Sequence, residues 1–246
     1  MLHLAMGLST DMVDTNAPSA WTDVPAHFRR NAPQDAHQVR RHRAVLALLK
    51  EVSGEVLDYG CGYGDLTYAM SRTHPNVIGV DVDPQRIAFA RHEYPELRFE
   101  VCPPDGLTFA DASFDVVTSV VVLPFVPDAN EYLREVHRVL RPGGHLVVAT
   151  KTWPLLRRVY RRLRYGPRTA GPRVSSLTLH SVDAIAALLE TSGFAVLRRN
   201  AFYDPPFSNH KNFADLLNGS VELAGEALGL VEPAPYPLLL ARRAES

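Results

Sequence analysis

The stretch LDYGCGYGDL (57–66) sets Gly60, Gly62 and Gly64 at alternate positions behind an apolar run, with carboxylates at Asp58 and Asp65 around them. Glycines spaced in this way let a large ligand lie against the backbone, because no side chain holds it off. Three ligand chemistries use glycine-rich turns, and each asks for a different pattern. A dinucleotide turn, G-x-G-x-x-G, needs its third glycine at position 65, which is Asp here. A carboxylate at the start of the following helix also takes the place where a pyrophosphate docks. A triphosphate-binding loop requires G-K-[S/T], and none follows. Two readings survive: a ligand whose cationic groups, such as a sulfonium and an ammonium, tolerate nearby carboxylates, or a tight turn with no ligand at all. Asp81 ends the next apolar run about twenty residues on, where an acid that accepts ribose hydroxyls is expected.

These residues need strands to carry them. Strands are predicted at 55–59, 76–81, 97–101, 114–122, 145–151, 194–202 and 237–243. Between them, helical spacing marks 34–52, 65–73, 83–94, 130–140 and 181–193, and again Phe213, Leu216, Leu217, Val221 and Leu228 within 204–230. Asp65 and Asp83 are the expected N-caps of their helices, with Pro84 at the first helical position after Asp83. RPGG (141–144) halts the fourth helix before the fifth strand starts. The 114–122 run is apolar on both faces, as a central parallel strand should be. Alternating strand and helix with short links predicts an α/β fold with a doubly wound, mostly parallel sheet.

Composition sets the outer bounds. The chain has 246 residues, a net charge of −1 and two cysteines, Cys61 and Cys102. That excludes a disulfide framework and gives no global field for nucleic acid. The start lacks a basic region and a long apolar run, and Val116 to Val126 is interrupted by Thr118, Ser119 and Pro124. A soluble cytoplasmic protein is the expectation. Residues 1–20 read as a mobile leader, with Met6 and Met12 as further candidate starts, and 21–246 as one domain. Within it, 54–151 form the core, while 21–53 and 152–235 supply the acceptor side.

The motifs VLDYGCGYGDLTYAM (56–70), VIGVDVDPQRIAFAR (77–91) and LTFADASFDVVTSVVVLPFVPDANEYLREVHRVLRPGGHLVVATK (107–151) resemble those of the class I S-adenosylmethionine-dependent methyltransferases. The resemblance implies a Rossmann-like seven-stranded sheet, its last strand antiparallel, with helices on both faces. It implies S-adenosylmethionine as methyl donor and a small molecule as acceptor. Gly60 and Gly62 would admit the methionine part of the donor, with Tyr59 and Cys61 beside them. Asp58 would face its ammonium through water, Asp81 would hold the ribose, and Val82 would lie against the adenine. Ser119 and Val120 would border the site from the fourth strand.

The chain also departs from the family pattern. CPPD (102–105) stands where relatives carry a Gly-Asp-Ala-like stretch, so Pro103 replaces an acid and Pro104 has no N–H to donate. Either Asp105 supplies both groups at the adenine edge, or the adenine is held by packing alone. Leu123-Pro124-Phe125-Val126-Pro127 lacks the histidines that many small-molecule relatives show there, and no catalytic base is identified. DPPF (204–207) looks like an amino-methyltransferase tetrapeptide but follows the sixth strand rather than the fourth, and reads as a proline-rich turn. No histidine or cysteine cluster has metal-ligand spacing.

WPLLRRVYRRLRYGPR (153–168) is an amphipathic stretch with a one-signed basic face. It reads either as a solvated helix, or as a surface for an anionic acceptor, a membrane or, least well supported, RNA. Two functions follow: an active small-molecule methyltransferase, or a non-catalytic relative that keeps the fold as a binding module. The oligomeric state is not legible in the sequence.

Overall fold

The computed structural model describes residues 32–103, 106–150, 182–202 and 236–244. Asp105, the arginine-rich 153–168, DPPF and the 204–230 segment lie outside the described residues. Helix α1 (Ala32–Leu49) precedes β1 (Val56–Tyr59), α2 (Asp65–Ser71), β2 (Val77–Asp81), α3 (Pro84–Glu93) and β3 (Arg98–Val101). Then follow β4 (Phe114–Val120), a 3-10 turn (Leu123–Phe125), α4 (Ala129–Val139), β5 (Leu140–Ala149), α5 (Val182–Thr191), β6 (Phe194–Phe202) and β7 (Tyr236–Arg243).

The strands form one seven-stranded sheet in the order β3-β2-β1-β4-β5-β7-β6. Strands β1 to β5 pair in parallel, and β7 runs antiparallel to both β5 and β6. Strand order reverses at β1 and β4, so the crevice beyond their carboxyl ends is where a ligand is expected.

Alternation along the central strands divides the core between two faces. Val117, Leu146, Val148, Leu239 and Ala241 pack with Leu133 and Val136 of α4 and Ile185 and Leu189 of α5. Val116, Val147, Leu238 and Leu240 pack on the other side with Val45 and Leu49 of α1 and Leu66 and Met70 of α2. A smaller cluster of Cys61, Ile87, Ala90, Tyr94 and Phe99 sits beneath the glycine turn.

Two local expectations are corrected. Gly64, at φ 88°, is the N-cap of α2 in place of Asp65, whose carboxylate instead accepts the Tyr94 hydroxyl at 2.8 Å. A Cβ on Gly64 would stand 2.8 Å from Phe99 Cζ, so this third glycine allows the helix start to sit tightly on β3. The fourth helix ends at Val139, ahead of RPGG as expected, but the fifth strand starts at Leu140 rather than at 145. Helix α4 passes directly into β5, and Arg141 to Gly144 are absorbed as an irregularity between the Phe114–Leu140 and Val116–His145 pairs. Asp83 caps α3 as expected, accepting the N–H groups of Gln85 and Arg86.

Beneath the switch point the strands are joined by a buried polar contact. Asp58 of β1 is 1% exposed, and its oxygens accept the hydroxyls of Thr67 at 2.7 Å and Thr118 at 2.8 Å. One carboxylate thereby ties β1 to α2 and β4. Burial pushes its pKa up to about 6, with the Asp81 charge adding to the rise and the two hydroxyls opposing it. An acid whose folded pKa is raised contributes stability that is present below its unfolded pKa of about 4 and is lost as pH rises through about 6. Asp58→Asn should lack this dependence. Urea unfolding at pH 4 and pH 7 should show the variant gaining on the parent at the higher pH, and a constant difference between them would contradict the burial account.

Candidate active site

At the carboxyl ends of β1, β2 and β4 lies a cavity of about 630 Å³. Gly60 is the residue of the glycine turn that lines it. Gly60, at φ 84°, and Cys61 both donate their N–H to the Val80 carbonyl, at 2.7 and 2.9 Å. Gly62 donates to Asp81 Oδ2 at 2.9 Å, and Asp83 donates to Asp81 Oδ1 at 2.9 Å. The turn after β1 is thus bound to the last two residues of β2. Each oxygen of a carboxylate can accept two hydrogen bonds, so Asp81 keeps acceptor capacity on the cavity side.

The two leading glycines differ in what surrounds them. A Cβ on Gly60 would run into Val122, so this position is glycine partly because the loop after β4 crosses it. A Cβ on Gly62, at φ 58°, would meet nothing within 4 Å, leaving the backbone there open to an approaching molecule.

Of the residues expected at the site, Tyr59, Gly60, Asp81 and Val82 line the cavity together, and Val82 is 56% exposed. Asp58 does not line it; its carboxylate lies inside the fold against the two threonine hydroxyls. Cys61 points into the cluster beneath the turn, and burial raises its thiol pKa, which makes it a packing residue rather than a nucleophile. Ser119 is buried and accepts the Tyr132 hydroxyl at 2.9 Å, while Val120 packs toward α1 and α2.

The wall that sequence reasoning placed at Ser119 and Val120 falls one step later, at Val121 and Val122. Val121 has φ 59°, an outlier for a β-branched residue, and its N–H donates to the Ala149 carbonyl at 2.6 Å. This left-handed residue turns the chain out of β4 and swings Val122 over Gly60. Nothing in the local sequence signals it, because glycine or asparagine is the usual occupant of such a backbone.

Residues from α3 and α4 complete the cavity and were not anticipated. Tyr132 stacks on Tyr59 with ring centroids 4.5 Å apart. Glu135 and Glu131 follow Tyr132 and Asp128 along α4, and Phe125, Val126 and Pro127 form an apolar lip of which Phe125 is 63% exposed. Arg86 faces Asp83 at 3.3 Å and Asp81 at 4.0 Å and lies over the Tyr63 ring. With Asp83 paired to Arg86 and Glu135 to Arg138, Asp81, Asp128 and Glu131 still leave the described lining acidic, which favours a cationic ligand. No histidine lines the cavity among the described residues, and none of them form a group of three or more metal-ligating side chains.

A doubly wound sheet with a glycine turn at its switch point and a carboxylate closing the neighbouring strand defines a nucleoside-binding α/β enzyme. Comparison with known proteins specifies which one. The methyltransferase domain family matches residues 57–148. A probable S-adenosylmethionine-dependent methyltransferase of Mycobacterium tuberculosis is 30% identical over 240 residues, covering 92% of this chain and 82% of that protein. The ubiquinone/menaquinone biosynthesis C-methyltransferase of Desulfotalea psychrophila is 31% identical over 170 residues, covering 61% of this chain and 69% of the relative. Among solved structures, an S-adenosylmethionine-dependent methyltransferase from Mesorhizobium loti superposes with a TM-score of 0.55 at 27% identity, covering 81% of this chain and 96% of the other.

The chain belongs to the S-adenosylmethionine-dependent methyltransferases, and S-adenosylmethionine is its methyl donor. The residues present fit that donor: acceptor capacity at Asp81, open backbone at Gly62 and an acidic lining for a molecule with two cationic groups. If Asp81 accepts the ribose hydroxyls, Asp81→Ala and the milder Asp81→Asn should raise the donor dissociation constant by roughly 10- to 100-fold. Isothermal titration checks this, with circular dichroism confirming that the variants stay folded. Parental affinity in both would reject the assignment.

Proposed function

We propose that this methyltransferase acts on a small amphiphilic acceptor whose reacting end is apolar and aromatic and whose other end is anionic. One observation carries the reading. The cavity that holds the donor corner, Gly60 and Asp81, continues without a break onto an apolar wall of Tyr59, Val122, Phe125, Val126 and Pro127. An anionic reacting end would meet Asp128 and Glu131 there, so the acceptor's negative charge belongs elsewhere. The sequence offers Arg157, Arg158, Arg161, Arg162, Arg164, Arg168 and Arg173, with no acidic residue between Glu135 and Asp183. A relative named for ubiquinone and menaquinone biosynthesis supports an aromatic ring as the group methylated.

S-adenosylmethionine supplies an electrophilic methyl group on a sulfonium whose leaving group is a neutral thioether. On this reading the chain's own residues bind and orient. Asp81 accepts the ribose hydroxyls, Val82 packs on the adenine, Asp105 reads the adenine edge, and the Gly60–Gly64 turn lets the methionine end approach the backbone. The apolar wall excludes water and holds the acceptor ring against the methyl group. Holding two reactants in line supplies much of the acceleration. An early proton loss from the acceptor would need a base, and no histidine is at hand among the described lining residues.

The test pairs a labelled methyl donor with hydroquinones that carry or lack an anionic substituent. Label should appear on the ring. Replacing Arg157, Arg158, Arg161 and Arg162 with glutamine should lower turnover of the anionic acceptor several-fold while the donor dissociation constant stays within about twofold. Added salt should depress the parent more steeply than the variant. Equal turnover of parent and variant would remove the arginines from the acceptor site, and no transfer to any aromatic acceptor would overturn the reading itself.

A further inference from the structure

Between β3 and β4, Gly106 lines the cavity, and residues 106–113 carry no helix or strand of their own. The segment starts at Cys102, whose N–H is bound to the Asp81 carbonyl at 3.0 Å, and it includes Gly106 in a left-handed conformation at φ 144°. What holds it lies on α4. Glu135 Oε2 accepts the Leu107 N–H at 3.1 Å. Arg138 places all five guanidinium N–H groups: Nε on Glu135 Oε1, Nη2 on Glu135 Oε2 and the Leu107 carbonyl, Nη1 on the Phe109 carbonyl and Asp111 Oδ1, at 2.7–3.0 Å. The Glu135 carboxyl is held below its ordinary range chiefly by this arginine.

The fit is specific on the loop side as well. A Cβ on Gly106 would stand 3.1 Å from Glu135 Oε2, so the glycine, the glutamate and the arginine fit together as one contact. Gly106 and Glu135 both face the cavity. Leu107 is buried in the core beside α4, and Phe109 stacks edge-on against Phe114 at 5.0 Å. These apolar anchors fix where the loop docks. The hydrogen bonds to the Leu107 and Phe109 carbonyls fix the path of its backbone, which apolar packing cannot do.

We propose that Glu135 and Arg138 are positioning residues for methyl-donor binding, setting the path of residues 106–111 and with it the place of Gly106 in the donor site. The sequence places two consecutive prolines, Pro103 and Pro104, ahead of Gly106. The prolines remove N–H groups from the near end of the loop, and α4 supplies the hold from the far end. Lysine cannot substitute for the arginine, because an ammonium has three donors and no planar fork. The Asp111 arm is expected to add little, since Asp111 is 78% exposed.

The proposal rests on the cavity being the donor site, and the experiment separates the two. Isothermal titration with S-adenosylmethionine, and with its demethylated product, is run on the parent, Arg138→Gln, Arg138→Lys and Asp111→Asn. Hydrogen exchange at the Leu107 amide is followed without ligand. Arg138→Gln should weaken binding of both ligands about tenfold and speed Leu107 exchange at least tenfold. Arg138→Lys should fall between it and the parent, and Asp111→Asn should stay within twofold on both measures. A folded Arg138→Gln variant with parental affinity would overturn the proposal, leaving a residue that serves stability alone. If that variant does not fold, Arg138→Lys decides: parental affinity overturns the proposal, and weakened affinity with faster Leu107 exchange supports it. A parent silent to both ligands would overturn the donor reading of the cavity and this proposal with it.

Discussion

Two backbone N–H groups, from Gly62 and Asp83, converge on the carboxylate of Asp81, and the geometry of the cavity follows from that contact. The parallel register of β1 on β2 brings Tyr59 level with Val80, so Gly60 and Cys61 meet the Val80 carbonyl and Gly62 meets the Asp81 side chain. The glycine turn takes its shape from those two acceptors. Asp58, one strand over, shows how much depends on environment. It carries the same functional group but sits level with Gly79, deeper in the sheet, where two threonine hydroxyls bond to it and burial pushes its pKa up. One carboxylate fastens the fold, and the other remains available to a ligand.

The wall opposite this corner is built by strain and by long-range contact. Val121 leaves β4 in a left-handed conformation, and its short bond to the Ala149 carbonyl offsets part of that cost. The detour places Val122 over Gly60 and opens the apolar lip at Phe125. Helix α4 contributes the rest. Its first turn is capped by Asp128, its middle presents Tyr132 to Tyr59, and its last turn carries the Glu135–Arg138 pair. An acidic lining and an apolar lip in one cavity suit a cationic donor beside a neutral ring.

Much of the fold is legible in the sequence, for physical reasons. The central strands are buried on both faces and bounded by turns, so their apolar runs stand out, and Asp83 with Pro84 marks a helix start that the structure keeps. Spacing alone located the glycine turn and Asp81. The departures come where tertiary contact overrides local preference. Asp65 has the chemistry of a cap, but Tyr94 claims its carboxylate and Gly64 takes the cap position. RPGG reads as a stop signal, yet the parallel partner β4 extends β5 back through it. Ser119 and Val120, placed at the site by resemblance, do not line the described cavity; Val121 and Val122 do, where a residue with positive φ turns the chain out of β4. Tyr132 and Glu135 lie about 70 residues from the glycine turn in the sequence, and no local pattern links them to it.

The central claim is that the cavity between the glycine turn, Asp81 and α4 is the seat of the methyl donor. Isothermal titration of the unmodified protein with S-adenosylmethionine, repeated at low and high salt, tests it most directly. The account predicts saturable binding of one donor per chain that weakens as salt screens the acidic lining, with the uncharged-sulfur product showing the smaller salt dependence. A titration with no heat and no thermal stabilisation by either ligand would contradict it.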